Sequence, residues 1–163
     1  MNIKQAKVSD CLAIKDFLHR SWEDTYHSII PKKLISDILS QRHSKNELLS
    51  EITDPSVLFL LAKNSRSEIV GLTTLKIESD TDLFMGRLYI DKNHQKKGIG
   101  KALLLESLRF FPKHQHLIIE VQEKNKNAID FYTHLGFLMI AKSEMYIQNK
   151  VIKTILLTKI INT

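Results

Sequence analysis

The spacing of apolar and polar positions divides the chain into two stretches with different periods. Up to Thr53, apolar residues recur every three or four positions. A short strand, Ile3 to Ala6, precedes a helix whose face carries Ile14, Phe17 and Leu18, with Ser9 and Asp10 offering its N-cap. Trp22 and Tyr26 follow four apart, a spacing that lets them share a helical face or a turn. After Pro31, the residues Leu34, Ile35, Ile38 and Leu39 predict a second short helix, and Asn46 to Ile52 a third.

From Pro55 the period becomes that of strands. Val57 to Ala62, Ile69 to Leu75 and Leu83 to Ile90 are apolar runs separated by polar connections, Asn64 to Glu68 and Glu78 to Asp82. That pattern predicts an antiparallel meander. A helix carrying Leu103, Leu104, Leu108 and Phe111 follows, closed by Pro112, and then a strand from Leu117 to Val121. Strand, helix and strand over this length predict a right-handed crossover between parallel strands. Asn127 stands where it could cap a last helix, with Asp130 three residues on. Ala128, Tyr132 and Leu135 share a face of that helix, and Gly136 stands at its C′ position. Phe137 to Ala141 and Val151 to Leu157 complete the expectation: an α/β fold with a mixed, mostly antiparallel sheet of about seven strands flanked by helices. No repeat or linker interrupts it, so residues 1–163 read as one domain.

Composition narrows the functional classes. With 43% hydrophobic and 26% charged residues, the 163-residue chain has the make-up of an ordered globular domain. One cysteine, Cys11, excludes an intramolecular disulfide framework and an all-cysteine metal site. No apolar run approaches the length of a bilayer span, and the first residues lack the apolar stretch of a secretory signal. A cytoplasmic location is therefore expected. The net charge of +6 is spread from Lys4 to Lys159 without a basic stripe interleaved with aromatics. It reads as a solvated surface, with neither nucleic acid nor membrane as partner. His114 and His116 could share one side of a strand but have no third ligand in view, so no metal is expected.

The segment with most chemical content runs from Leu88 to Lys101. A strand ends at Leu88, Tyr89 and Ile90, a short loop follows, and Gly98 and Gly100 open a helix. Glycines there let backbone approach a ligand, and free amides at a helix N-terminus favour an anion. Lys96, Lys97 and Lys101 add positive charge at the same place. A P-loop would need a glycine at Gln95 and a hydroxyl at Ala102; a dinucleotide fingerprint would need a glycine at Leu103. The loop instead reads Q-x-x-G-x-G, from Gln95 to Gly100. Further on stands N-x-x-A-x-x-x-Y-x-x-x-G-F, from Asn125 through Ala128 and Tyr132 to Gly136 and Phe137.

The two motifs, in this order with a strand between, resemble the GNAT superfamily of acetyl-CoA-dependent N-acetyltransferases. The resemblance implies acetyl-CoA as co-substrate. It assigns the backbone of Leu88, Tyr89 and Ile90 to the pantetheine arm. The turn from Gln95 through Lys96, Lys97, Gly98, Ile99 and Gly100 to Lys101 would hold the pyrophosphate, and Asn125 would meet the pantetheine or shape the turn. Tyr132 would protonate the departing thiolate. Many relatives carry a glutamate on the strand before the loop, but Leu83 to Arg87 has none. Glu120 is the candidate base, by its likeness to acetyltransferases of ribosomal-protein N-termini; a paired or solvated strand carboxylate is the other reading. Ser21 to Tyr26, followed by Ile29, Ile30 and Pro31, faintly resembles bacterial polyamine acetyltransferases. That makes Trp22 and Tyr26 candidate acceptor contacts and a polyamine or other small amine the first expected acceptor. A protein N-terminus or lysine is the alternative, and a non-catalytic acyl-CoA-binding sensor the rival from another class. Either a monomer or a homodimer fits.

Overall fold

The structure, a computed structural model, describes residues 1–147 and 150–161. Its strands are β1 (Asn2–Gln5), β2 (Val57–Lys63), β3 (Ile69–Ile77), β4 (Asp82–Ile90), β5 (His116–Gln122), β6 (Leu138–Ile147) and β7 (Lys150–Ile160). Its helices are α1 (Cys11–Tyr26), α2 (Lys32–Arg42), α3 (Lys45–Thr53), α4 (Ile99–Leu108) and α5 (Lys126–His134). They form one seven-stranded sheet in the order β1-β2-β3-β4-β5-β7-β6. The expected meander, β2 to β4, is antiparallel, and the crossover through α4 makes β4 and β5 the parallel pair.

Both faces of the sheet are covered, which is why its central strands read as near-continuous apolar runs. One face packs Leu58, Leu60, Leu83, Leu117 and Ile119 against Leu103 and Leu104 of α4 and Tyr132 of α5. The other packs Phe59, Leu61 and Leu72 against Ile14, Phe17 and Leu18 of α1 and Leu48 of α3. A smaller cluster joins Leu34, Ile35, Ile38 and Leu39 of α2 to Ile152 of β7. Cys11 is buried in the α1 side, its thiol against the Lys45 carbonyl at 3.7 Å, as a packing residue.

Local expectations at three helix ends are corrected. Asp10 precedes α1 but does not cap it through its side chain; it accepts the Lys7 N–H and pairs with Lys63 at 2.7 Å. The cap of α5 is Asn125, not Asn127: Asn125 Oδ1 accepts the Ala128 N–H at 3.2 Å, while Asn127 lies inside the helix. Helix α4 stops at Leu108, short of Pro112, because its i→i−4 bonds give way to i→i−3 bonds at Arg109, Phe110 and Phe111. Strands β6 and β7 outrun their predicted lengths because they pair with each other along most of both strands, pairing that no single apolar run announces.

The sheet opens in the middle. β4 pairs with β5 only from Asp82 to Met85, opposite His116 to Ile119. Beyond that, β4 stays with β3 to Ile90 and β5 stays with β7 to Gln122, so the two diverge. A bulge lies at the parting point: Thr74 faces Arg87 while Leu75 faces Met85, leaving Gly86 unmatched. The extra residue reverses the alternation of side chains. Leu83, Met85, Leu88 and Ile90 therefore all join the α4 side, while Arg87 and Tyr89 turn to the α1 side.

Candidate active site

The cofactor-side loop is built by backbone geometry. Gly98 adopts φ +79°, where a Cβ is strained, and no atom stands within 4 Å of where that Cβ would lie. Lys96 is also left-handed, at φ 58°. The first bond of α4 runs from the Ala102 N–H to the Gly98 carbonyl at 2.9 Å, so the amides of Ile99, Gly100 and Lys101 lack intrahelical partners. Lys96, Lys97, Gly98 and Lys101 are exposed around them. These donors and cations fit a pyrophosphate.

Two residues of the motif have structural work of their own. The Gln95 side-chain amide donates to the Ile90 carbonyl at 3.2 Å and so pins the loop to the end of β4. A Cβ on Gly100 would come within 3.1 Å of the Phe131 ring, so this glycine is required by the packing of α4 against α5.

Tyr132 approaches the opening from the α5 side. Its ring packs edge-on to Phe131 and Phe137, at 5.1 and 5.3 Å. Its hydroxyl points at Met85 Sδ, 3.6 Å away, a weak acceptor that leaves the proton uncommitted. Burial raises its pKa, with neighbouring Tyr26 adding to the rise, so it stays a protonated donor.

From the other face, α1 brings Trp22 and Tyr26 to the same opening. Their rings are 4.6 Å apart, and Trp22 also meets His43 at 5.4 Å and Tyr89 at 6.2 Å. Tyr89 and Asn125 both neighbour the Tyr26 hydroxyl, whose pKa is raised by burial. Asn125 thus joins α1 to the cap of α5. The Lys92–Asp24 pair, at 2.8 Å, is a second tie between α1 and the cofactor loop.

Under this aromatic wall lies a cavity of about 360 Å³, small for a ligand site. Phe84, Gly86, Met145 and Ile152 give it apolar surface, and Glu120, Gln122 and Thr154 polar surface. Arg42, His43, Glu47, Glu51 and Arg87 complete it. Arg87 forms a bidentate pair with Glu51, Nη2 to Oε1 being 3.0 Å, and Nη2 also donates to the Arg42 carbonyl. The Thr154 hydroxyl donates to Glu120. His43 is 3% exposed; burial, and then the charge of Arg87 and the nearby His19 and Arg42, push its pKa down to about 3. It is neutral at physiological pH.

The structure therefore brings Tyr132, Glu120, Trp22, Tyr26, Asn125 and Tyr89 together around one gap. Sequence reasoning missed Arg87, Glu51, His43 and Glu47. Gly86 inside an apolar strand was the available signal, because a strand glycine marks a bulge and a bulge puts Arg87 on the cavity face. Glu51 and Glu47 come from a separate helix and carry no local mark. Among the described residues, no three His, Cys, Asp or Glu side chains are grouped to hold a metal ion, and no helix is long and apolar enough to cross a membrane.

A turn of free amides and lysines, a buried tyrosine donor and a charged cavity meet at a parted parallel strand pair, an arrangement that fits an acyl-CoA-dependent acyltransferase. The sequence matches the acetyltransferase (GNAT) family over residues 15–137, and the chain belongs to that family. It is an N-acetyltransferase that moves an acetyl group from acetyl-CoA to an amine. It is 29% identical over 143 residues to the spermidine N(1)-acetyltransferase of Thermoplasma acidophilum, covering 84% of this chain and 88% of that one. It is 32% identical over 111 residues to the peptidyl-lysine N-acetyltransferase YjaB of Salmonella typhimurium, covering 67% and 70%. Among solved structures, the PaiA N-acetyltransferase of Thermoplasma acidophilum in complex with coenzyme A superposes with a TM-score of 0.87. That match has 25% identity and covers 98% of both chains.

Proposed function

We propose that residues 1–163 form one catalytic domain that acetylates a small polyamine-like amine. Acetyl-CoA enters from the α4–α5 face and the acceptor from the α1–α3 face. The observation that carries this reading is the opening between β4 and β5, reached by Tyr132 from one side and by the carboxylate-bearing cavity from the other. The spermidine acetyltransferase relative supports the acceptor class.

The acetyl thioester supplies the activated acyl group. Amides at Ile99 to Lys101, with Lys96 and Lys97, hold the pyrophosphate; the backbone of Leu88 to Ile90 and the Asn125 side chain border the pantetheine path. The amine nitrogen attacks the thioester carbonyl, forming C–N as C–S breaks. Its proton passes to Glu120, directly or through water, and Tyr132 gives its phenolic proton to the leaving thiolate. An N–H of β4 bordering the gap serves the oxyanion. Trp22 and Tyr26 wall the acceptor.

An acceptor panel tests the reading. Spermidine, 1,4-diaminobutane and a lysine-containing peptide are compared by kcat/KM with acetyl-CoA, reading free thiol. The polyamines should be preferred. A peptide preference would move the acceptor to protein lysines, the activity by which the Salmonella relative is named.

A further inference from the structure

The carboxylates of the acceptor cavity are not equivalent. Glu51 is cancelled by Arg87, whose side chain is 9% exposed and held in a bidentate pair. Among the described residues, Glu120 accepts one side-chain hydrogen bond, from the Thr154 hydroxyl, and forms no ion pair beside the opening. Glu47 stands apart from both.

Glu47 is the third residue of α3, after the cap Ser44, whose Oγ takes the Glu47 N–H at 3.2 Å. A carboxylate in that position ordinarily reaches back to the cap residue's own N–H and closes a capping box. Here it does not. The cap bond at its own N–H is the one side-chain hydrogen bond Glu47 takes part in among the described residues, and its carboxylate forms no ion pair there. Instead Glu47 lines the cavity and is exposed to solvent, as Arg42 is. The cavity thus carries a half-buried carboxylate, Glu120, and a solvent-exposed one, Glu47.

We infer that Glu47 is a specificity-determining residue that selects acceptors carrying a second cationic centre distal to the reacting amine. The inference rests on the amine-acceptor reading above. The reacting nitrogen must lose its proton near Glu120, so the acceptor's remaining charge is what the exposed side chains read. Glu47 attracts it and Arg42 opposes it, which gives the two residues effects of opposite sign.

The test compares 1,4-diaminobutane with n-butylamine, which share the carbon chain and differ in the distal ammonium. Dissociation constants are measured by calorimetry on the coenzyme A-loaded protein, for the native chain, Glu47→Gln and Arg42→Gln. Removing one partly exposed carboxylate should weaken the diamine about fivefold and leave n-butylamine within about twofold. Arg42→Gln should tighten the diamine, and high salt should shrink both effects. Equal changes for the two amines in Glu47→Gln, or none, would overturn the inference. Failure of the acetylation reading is seen separately, as absence of thiol release from acetyl-CoA with amines that bind. No binding of either amine would overturn both.

Discussion

The buried His43 makes stability depend on pH in the range between its unfolded and folded pKa values. In the unfolded chain its imidazole titrates near 6.5, whereas in the fold its pKa is pushed down to about 3. The folded state therefore holds fewer protons than the unfolded one between these values. Stability from neutral His43 is complete above the unfolded pKa and is lost as pH falls below it, at about 1.4 kcal/mol per pH unit, until the folded pKa is reached. Between pH 7 and pH 5 the loss is about 2 kcal/mol, or a fall of roughly 4–8 °C in Tm for a chain of this size. His43→Gln removes the titrating group from a position packed edge-on to Trp22, so its own Tm at pH 7 should drop. The variant's further drop from pH 7 to pH 5 should be smaller than the native chain's by that amount. Carboxylates held below their usual range, Asp10 and Asp91 among them, titrate at lower pH. Thermal melts at the two pH values decide it. Equal drops in the native chain and the variant would mean that His43 is protonated in the fold and that its burial has been misread.

The reaction residues give three further expectations. Gly98→Val forces a β-branched residue into φ +79°, so coenzyme A should no longer raise Tm. In the native chain the stabilisation should be about 2.7 kcal/mol at one hundred times Kd, and a retained Tm rise in the variant would remove the turn from the cofactor site. Tyr132→Phe keeps the ring packing and deletes the donor, so kcat should fall roughly 10²-fold with coenzyme A affinity intact. An unchanged kcat with chemistry rate-limiting would return Tyr132 to the core. Glu120→Gln should lower kcat/KM and change the acidic limb of the rate profile; a limb that instead follows the pKa of two different acceptor amines, untouched by the substitution, assigns proton removal to solvent or substrate.

What the sequence revealed and what it hid divide along local and non-local lines. Gly98 and Gly136 each stand at positive φ, a requirement written in the residue itself, and both were placed correctly relative to their helices. The parallel pairing of β4 and β5 followed from the length of the crossover. The cap of α5 was read two residues late because Asn125 and Asn127 are equally good capping residues in isolation. The chain chooses Asn125, which also neighbours Tyr26 of α1, a residue from far along the sequence. The cavity beside the β4–β5 opening was least legible. Its wall draws on α1, α2, α3, β4, β5, β6 and β7, and its charge balance depends on Arg87 meeting Glu51 across 36 positions.

The central claim is direct transfer: the acetyl group crosses the β4–β5 opening from thioester to amine with both bound at once. Initial rates at varied acetyl-CoA and amine, with the protein's intact mass measured after acetyl-CoA alone, test it most directly. Direct transfer predicts intersecting double-reciprocal lines, no acetylated protein without amine, and one N-acetylated amine per free thiol. Parallel lines with an acetyl adduct on the chain would contradict it.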